Sequence, residues 1–202
     1  MGATHVDSPT WMPDLETERL VIRPYSLTDL EAKRRLDRAM GYSLNAEDER
    51  RWLEWSVLNY EQLARLRQPP YGDRAIVLRD GRVLIGSAGL VPSLGPFDRF
   101  PSFKKDLRVI NDIRTRPEVG LYWALDPAHR GRGYATEAVR ALIKYGFNRL
   151  GLQRLVATTD YENEPSQAVM RRLGMAVERN PYPEPPWCQI VGVIEHPAPT
   201  SS

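Results

Sequence analysis

The residues of this chain best suited to bind a ligand lie at positions 125–136, in the stretch LDPAHRGRGYAT. Gly131 and Gly133 let the backbone pass close to a ligand. The first turn of a following helix also presents N–H groups without intrahelical acceptors at the positive end of the helix dipole. Arg130 and Arg132 add two positive charges. This combination predicts a turn that binds a phosphate or pyrophosphate group.

Two common phosphate-binding motifs fit this stretch poorly. A P-loop requires Gly-Lys-Ser/Thr, which does not follow these glycines. A Rossmann fingerprint places a third glycine where this chain has Thr136, and it belongs to a βαβ repeat that is not found upstream. A helix that simply begins at flexible glycines, without a ligand, is the remaining alternative.

Histidine and cysteine are too few and too scattered to predict a metal site. The histidines are His5, His129 and His196, and Cys188 is the single cysteine, so we expect no metal ion and no intrachain disulfide. A nucleophilic role for Cys188 would need an activating partner that the sequence does not show. His129 lies within the phosphate-facing turn, which argues against a role as a general base.

The elements that position the turn follow from hydrophobic periodicity. Residues 119–125 predict a buried strand, and apolar or small residues recur at helical spacing over 133–150. Upstream, the sequence predicts a strand at 20–23, helices at 30–40 and from 45 to the prolines at 69 and 70, and a hairpin of 75–78 with 82–90 around Asp80-Gly81. Downstream, it predicts a strand at 152–159, a helix at 163–173 ended by Gly174, and strands near 177 and at 188–194.

Helices and strands mixed in this way predict an α/β or α+β fold around a mixed sheet. Residues 1–14 and 196–202 have no periodicity and are expected to be flexible tails, which leaves one domain at 15–195. Segment 92–117 is longer than most loops of compact domains. We expect it either to serve the function or to be a surface excursion with a helical turn of its own.

Composition excludes several classes of protein. The 202 residues carry 28 basic and 26 acidic side chains, and the formal charge of +2 is too small to argue for a nucleic-acid or membrane partner. No apolar run approaches the roughly 18 residues that a membrane helix needs. The first 14 residues lack the pattern of a signal peptide. These features predict a soluble, cytoplasmic protein.

The sequence resembles the GNAT superfamily of N-acetyltransferases. Arg130-x-x-Gly133-x-Ala135 matches the superfamily's acyl-CoA pyrophosphate motif. The wider context is similar to the branch that acetylates the N-termini of ribosomal proteins, and this likeness covers about residues 15–195. It rests on the phrase ETERLVIR at 16–23, the strand EVGLYWAL at 118–125, Asn163-x-x-Ser166, and Leu173-Gly174.

This resemblance implies a GNAT fold, with a mostly antiparallel mixed sheet flanked by helices, and transfer of an acetyl group from acetyl-CoA to a primary amine. The branch favours a protein N-terminal α-amine as acceptor. A small-molecule amine such as an antibiotic or polyamine, or a silent acyl-CoA-binding module, are the alternatives, and a homodimer stays open. The implied acetyl-CoA-binding residues are Trp123, Leu125, Arg130, Gly131, Arg132, Gly133, Tyr134, Ala135, Thr136 and Asn163.

The resemblance also suggests residues that act on protons. Both α-amines and lysine amines are largely protonated at neutral pH, so a carboxylate must accept a proton, and Glu118 is the candidate. Glu178 and Glu184 are weaker alternates, because the nearby prolines could fold one of them over the site. Ser166 is the candidate for protonating the CoA thiolate. The alternative for Glu118 is a solvated residue that opens a strand, and for Ser166 a residue that bonds the local backbone.

Overall fold

The computed structural model describes residues 12–103 and 115–197. In these ranges the chain forms eight strands and four α-helices. The strands are β1 (Leu15–Glu16), β2 (Leu20–Pro24), β3 (Gly72–Leu78), β4 (Leu84–Gly95), β5 (Arg116–Leu125), β6 (Arg154–Thr159), β7 (Ala176–Arg179) and β8 (Ile190–Glu195). The helices are α1 (Leu30–Ala39), α2 (Ala46–Arg65), α3 (Tyr134–Asn148) and α4 (Glu164–Arg172).

All eight strands form one sheet in the order β1-β2-β3-β4-β5-β6-β8-β7. The pair β5–β6 is parallel, and every other neighbouring pair is antiparallel. The predicted mixed, mostly antiparallel sheet is therefore confirmed. The parallel pair meets where Gly120 lies opposite Val156.

Local sequence explains how several elements begin and end. Asn45 caps α2, because its Oδ1 accepts hydrogen bonds from the backbone N–H groups of Glu47 and Asp48. The hairpin β3–β4 turns where predicted. Its positive φ angles fall on Gly81 (70°) and Arg82 (52°), one residue later than the Asp-Gly pair suggests.

The two faces of the sheet carry separate cores. One face packs against α3, with Leu20, Ile76 and Leu142 fully buried. The other face packs against α2 through Tyr25, Leu53 and other buried residues. Because alternate residues of a strand point to opposite faces, β5 contributes Leu121, Trp123 and Leu125 to the first core. Tyr122 and Ala124 point to the second face.

Two segments differ from the sequence-based expectation. Met12 falls in the predicted N-terminal tail, yet it is fully buried and its carbonyl accepts a hydrogen bond from Arg74. The segment after β4 is held by two short 3₁₀ turns, Phe97–Arg99 and Pro101–Phe103, and Phe97, Phe100 and Phe103 are buried. This segment is thus part of the core up to Phe103. Residues 92–95 and 116–117 of the predicted excursion belong to β4 and β5, and residues 104–114 lie outside the described residues.

None of the helices described here is long and apolar enough to cross a membrane.

Candidate active site

The main cleft of the molecule opens where β5 and β6 part. Beyond the pair of Gly120 and Val156, residues 121–125 of β5 face Thr158 and Thr159 of β6 across a cleft of about 1330 Å³. The beginnings of α3 and α4 close its sides. A gap between two parallel strands leaves backbone groups of both strands without ladder partners, so the cleft is lined by main chain as well as by side chains.

The direction of these backbone groups can be read from one hydrogen bond. The N–H of Asp126 donates to the carbonyl of Ile85 in β4, at 2.9 Å. Successive N–H groups along a strand point to opposite sides, so those of Leu125 and Trp123 point away from β4 and into the gap. The two N–H groups lie about 6.6 Å apart along the strand, so one of them at a time can donate to a carbonyl oxygen that gains negative charge.

The turn after β5 has the features of an anion-binding turn. Gly131 and Gly133 have φ angles of 75° and 82°, and Gly133 is the N-cap of α3 without a side chain to accept the first N–H groups of the helix. The Oγ1 of Thr136, also in the first turn, is buried without a hydrogen-bond partner in the described part of the chain. All three residues line the cleft or its rim, and they fit a diphosphate group.

Positive charge lines the same end of the cleft. Arg130, Arg140 and Arg172 all border it, and Nη2 of Arg140 donates to the carbonyl of Arg172 at 3.3 Å. Arg140 and Arg172 were missed by the sequence analysis. The signal for Arg140 was available, since it lies seven residues after Gly133 and so on the same face of α3.

A salt bridge between Arg19 and Glu137, at the border of the cleft, holds the turn. Arg19 donates from Nε to Glu137 at 2.7 Å and from Nη1 to the carbonyl of Arg132 at 3.0 Å, and Thr17 donates to Glu137 at 2.7 Å. Burial disfavours the charged form of Glu137, but the hydrogen bonds from Thr17 and Arg19 outweigh it and hold its pKa below the usual range. The loop geometry therefore depends on residues more than 100 positions upstream.

The opposite wall is the start of α4. Asn163 caps this helix, with Oδ1 accepting from the N–H of Ser166 at 3.2 Å, and both residues line the cleft. Ser166 is half-buried. Ser166 thus brings a hydroxyl group to the lining of the cleft.

The other end of the cleft is bordered by Met40, Tyr42 and Tyr122, which we name the tyrosine end. Tyr42 is exposed, whereas Tyr122 is half-buried on the second face of the sheet. Burial, followed by the negative charge of Asp73, raises the pKa of Tyr122 well above its ordinary value. Its phenol therefore remains protonated at all physiological pH values.

The structure brings most of the sequence-predicted binding residues together in this cleft. They are Trp123, Leu125, Arg130, Gly131, Gly133, Tyr134, Ala135, Thr136, Asn163 and Ser166. Arg132 is exposed and does not border the cleft. It contributes to the turn through its backbone carbonyl, which accepts a hydrogen bond from Arg19. The side chain of Arg130 donates to the Leu125 carbonyl at 3.0 Å and so ties the turn to the end of β5.

Glu118, the predicted base, does not reach the cleft. Its carboxylate accepts from Nη2 and Nε of Arg154 at 2.5 and 3.2 Å, and it borders a separate cavity of about 450 Å³. The physical reason is its position on β5. Glu118 precedes the Gly120–Val156 pair, where β5 and β6 are still together, whereas the cleft opens after it.

The weaker candidates lie elsewhere as well. The Glu178 carboxylate accepts hydrogen bonds from Ser102, and Glu184 is exposed on a loop that does not border the cleft. Burial raises the pKa of Cys188 to about 11, so this thiol is a poor nucleophile. Among residues 12–103 and 115–197, no three His, Cys, Asp or Glu side chains come together as a metal site would require.

Comparison with known proteins agrees with this geometry. Residues 19–176 match the profile of a family described as "Acetyltransferase (GNAT) domain". The spermidine N(1)-acetyltransferase of Escherichia coli (strain K12) is 30% identical to the chain over 171 residues, which cover 83% of this chain and 77% of that protein.

Solved structures share the fold. A ribosomal-protein-S5-alanine acetyltransferase from Vibrio fischeri has a TM-score of 0.63 at 16% identity, covering 92% of this chain and 97% of that chain. RimL, a ribosomal L7/L12 alpha-N-protein acetyltransferase in complex with coenzyme A, has a TM-score of 0.61 at 14% identity, covering 90% and 97%. At these identities the likeness is one of fold.

Proposed function

The chain belongs to the acetyltransferase (GNAT) domain family and is an N-acetyltransferase, and from this premise we propose that it acetylates protein N-terminal α-amines with acetyl-CoA. One observation carries the proposal. The cleft joins a pair of free backbone donors at the end of β5 to an anion-binding turn at the start of α3, in a single continuous channel. A ligand with a diphosphate at one end and a thioester at the other matches that channel.

The residues for holding acetyl-CoA are those of the cleft. The N–H groups after Gly131 and Gly133 and the hydroxyl of Thr136 would bind the diphosphate, with Arg130 neutralising its charge. Asn163, on the wall formed by α4, would bind the pantetheine arm. The CoA present in the RimL structure of the same fold supports this assignment.

Bound acetyl-CoA supplies the thioester carbonyl that an amine attacks and the thiolate that leaves. The N–H groups of Leu125 and Trp123 point into the gap, and that of Leu125 would stabilise negative charge on the carbonyl oxygen. The Ser166 hydroxyl, on the opposite wall, donates a proton to the leaving sulfur. A thiol with a pKa near 8.5 makes only a modest demand on this acid.

The acceptor enters from the tyrosine end, on the face opposite to α3. The structural neighbours of this fold include two enzymes that act on ribosomal proteins, which supports a protein N-terminus as acceptor. A second candidate is a small polyamine, since the E. coli spermidine acetyltransferase is 30% identical across most of both chains. Both acceptors are primary amines, and they differ in size and in charge.

Calorimetry and a thiol-release assay would test the proposal together. Titration with CoA and acetyl-CoA should show binding, and acetyl-CoA should release thiol in the presence of unblocked peptides whose acetylation mass spectrometry places at the α-amine. Matched peptides with a blocked N-terminus and a free lysine are the control. Turnover of spermidine or an aminoglycoside alone would make the enzyme a small-molecule acetyltransferase. Binding without any turnover would make it a silent acyl-CoA-binding module.

A further inference from the structure

One carboxylate on the second face of the sheet has no place in the chemistry described so far. Asp73 lies near the start of β3, opposite Gly89 of β4, which in turn lies opposite Tyr122 of β5. Residues directly opposite each other in a sheet point to the same face. Asp73 and Tyr122 therefore share a face, with their Cα atoms about 10 Å apart across two strand spacings.

The residue between them contributes no side chain. A Cβ atom added at Gly89 would collide with the carbonyl of Gly72, because β3 and β4 approach closely here. No side chain of β4 therefore stands in the row between the Asp73 carboxylate and the Tyr122 phenol. Tyr122 borders the cleft and Asp73 does not, so Asp73 lies behind the cleft lining, in the row that ends at Tyr122.

The groups around Asp73 come from every element packed over this face. They are Lys33 and Asp37 of α1, Tyr60 of α2, Tyr25 after β2, and Tyr122 of β5. Asp37 is already engaged, since both its oxygens lie 2.6 Å from Nζ of Lys33. The hydroxyl of Tyr60 donates to the backbone carbonyl of Asp73, not to its carboxylate.

Within the described residues, the Asp73 carboxylate makes no hydrogen bond or ion pair, although it is only partly exposed. Burial raises its pKa to about 6, with Lys33 lowering and Asp37 raising the value. At pH 7 this group is mostly ionised, yet it holds a proton far better than an ordinary aspartate. A carboxylate in this state matches the requirement for a general base near neutral pH.

We propose that Asp73 is the proton acceptor for the acceptor amine, acting through water at the tyrosine end. This role rests on the proposed acetyltransferase function. The incoming R–NH₃⁺ gives one proton to the Asp73 carboxylate through that water, and its freed lone pair forms the N–C bond at the thioester carbon. The C–S bond breaks with its electron pair on sulfur. The second proton lost from nitrogen goes to solvent as sulfur receives one from Ser166, whose hydroxyl is restored by solvent.

The other carboxylates near this face are less suited to the role. Asp37 is neutralised by Lys33, and Glu118 is bound to Arg154 on the far side of the point where β5 and β6 part. Of these three, Asp73 alone shares a face with Tyr122 across a row that contains no side chain of β4. Its carboxylate also has no hydrogen-bond or ion-pair partner among the described residues.

The pH dependence of kcat/KM for the amine is the direct test, measured with the peptide or polyamine that the wild-type enzyme turns over. Asp73→Asn should lower kcat/KM by about 10²- to 10⁴-fold at pH 7, and the deficit should shrink as the pH approaches the pKa of the amine. The affinity for CoA should stay within about threefold of wild type. Thermal unfolding should show that the variant is folded, because it removes a charge without a partner.

Variants of two residues near Asp73 should shift the acidic limb of the pH profile of kcat/KM in opposite directions. A purely structural role of Asp73 would not produce these shifts. Lys33→Met removes a charge that lowers the pKa of Asp73, so the acidic limb of the profile should move to higher pH. Asp37→Asn removes a charge that raises this pKa and frees Lys33, so the limb should move to lower pH. Shifts of the acidic limb in opposite directions in Lys33→Met and Asp37→Asn support Asp73 as the proton acceptor.

The outcomes separate this inference from the function on which it rests. The role of Asp73 would be overturned, and the proposed function left intact, by either of two results. One is wild-type turnover with an unchanged pH profile in Asp73→Asn. The other is an acidic limb that does not move in opposite directions in Lys33→Met and Asp37→Asn. A wild-type enzyme that binds CoA and acetylates none of the amines would overturn the proposed function, and the role of Asp73 with it.

Discussion

Glu137 in the first turn of α3 accepts hydrogen bonds from both the backbone N–H and the guanidinium of Arg19, at 2.9 and 2.7 Å, although 118 residues separate the two. Arg19 also stacks over the ring of Tyr134, with 4.6 Å to the ring centre. Arg19, the residue directly before β2, thus fixes the turn that is proposed to bind the diphosphate. The residue before β2 and the first turn of α3 are therefore joined directly.

Glu137→Gln should weaken CoA binding through this contact. The amide can still accept one hydrogen bond, but it loses the charge that holds the guanidinium, and the Gly131–Gly133 turn is then less fixed. We expect roughly a tenfold higher Kd, about 1.4 kcal/mol, by calorimetry. Glu61→Gln, which breaks an exposed pair with Arg65 on α2, is the matched control and should leave the Kd unchanged.

Gly133→Ala tests the turn itself. The φ angle of 82° is left-handed, and an alanine there costs about 1–2 kcal/mol. Its Cβ would also lie 3.4 Å from Nη2 of Arg19. We expect at least a tenfold loss of CoA affinity with the fold retained. Gly151→Ala is the control, because its φ of 65° is similarly strained and it does not border the cleft. Equal effects of both variants on CoA affinity would remove this turn from the site.

Sequence alone predicted the turn and its elements because their signals are local. Glycines, arginines and an amphipathic helix follow one another within about 25 residues. The contact of Arg19 with this turn comes from a distant part of the sequence, and no local pattern predicts it. The cap of α4 by Asn163 is equally local. In such features, residues that contact each other in the structure are also close together in the sequence.

The rest of the site depends on register, which no local pattern determines. Asp73 and Tyr122 lie 49 positions apart in sequence and become neighbours only because β4 pairs with both β3 and β5 at Gly89. The sequence predicts Glu118 as the base, at the start of the strand before the turn. Its actual partner, Arg154, follows from where β5 meets β6. The strand pairing at Gly89 therefore decides which carboxylate shares a face with Tyr122.

Thr136→Val tests whether the buried hydroxyl is there for a ligand. Because Oγ1 of Thr136 has no partner in the described structure, replacing it by a methyl group should not lower the free energy of unfolding of the apo protein. The affinity for CoA should fall by roughly three- to tenfold, the equivalent of about one hydrogen bond. Denaturant unfolding with and without CoA measures both quantities. A destabilised apo protein with normal CoA affinity would give the hydroxyl a structural role.

Glu118→Gln should affect stability more than catalysis. The pair with Arg154 is mostly buried, with 8% and 19% of the two side chains exposed. Removing one charge should lower the free energy of unfolding by about 1–3 kcal/mol. The pH profile of kcat/KM should keep the wild-type shape, since the pair lies outside the cleft. A large, pH-dependent loss of turnover in a stable variant would return the role of base to Glu118.

Asp73 should also leave a signature in the pH dependence of folding. Burial raises its pKa to about 6 in the folded protein, from 3.8 for an unburied aspartate, so the unfolded chain releases this proton first as the pH rises. The folded state therefore loses stability between about pH 4 and pH 6, and the loss is complete above the folded-state pKa. The shift corresponds to on the order of 2–3 kcal/mol. Asp73→Asn should lack this component, so its free energy of unfolding relative to wild type should increase by that amount between pH 4 and pH 7. Denaturant titrations at a series of pH values measure the difference, and parallel curves for the two proteins would mean that Asp73 has an ordinary pKa and is no special proton acceptor.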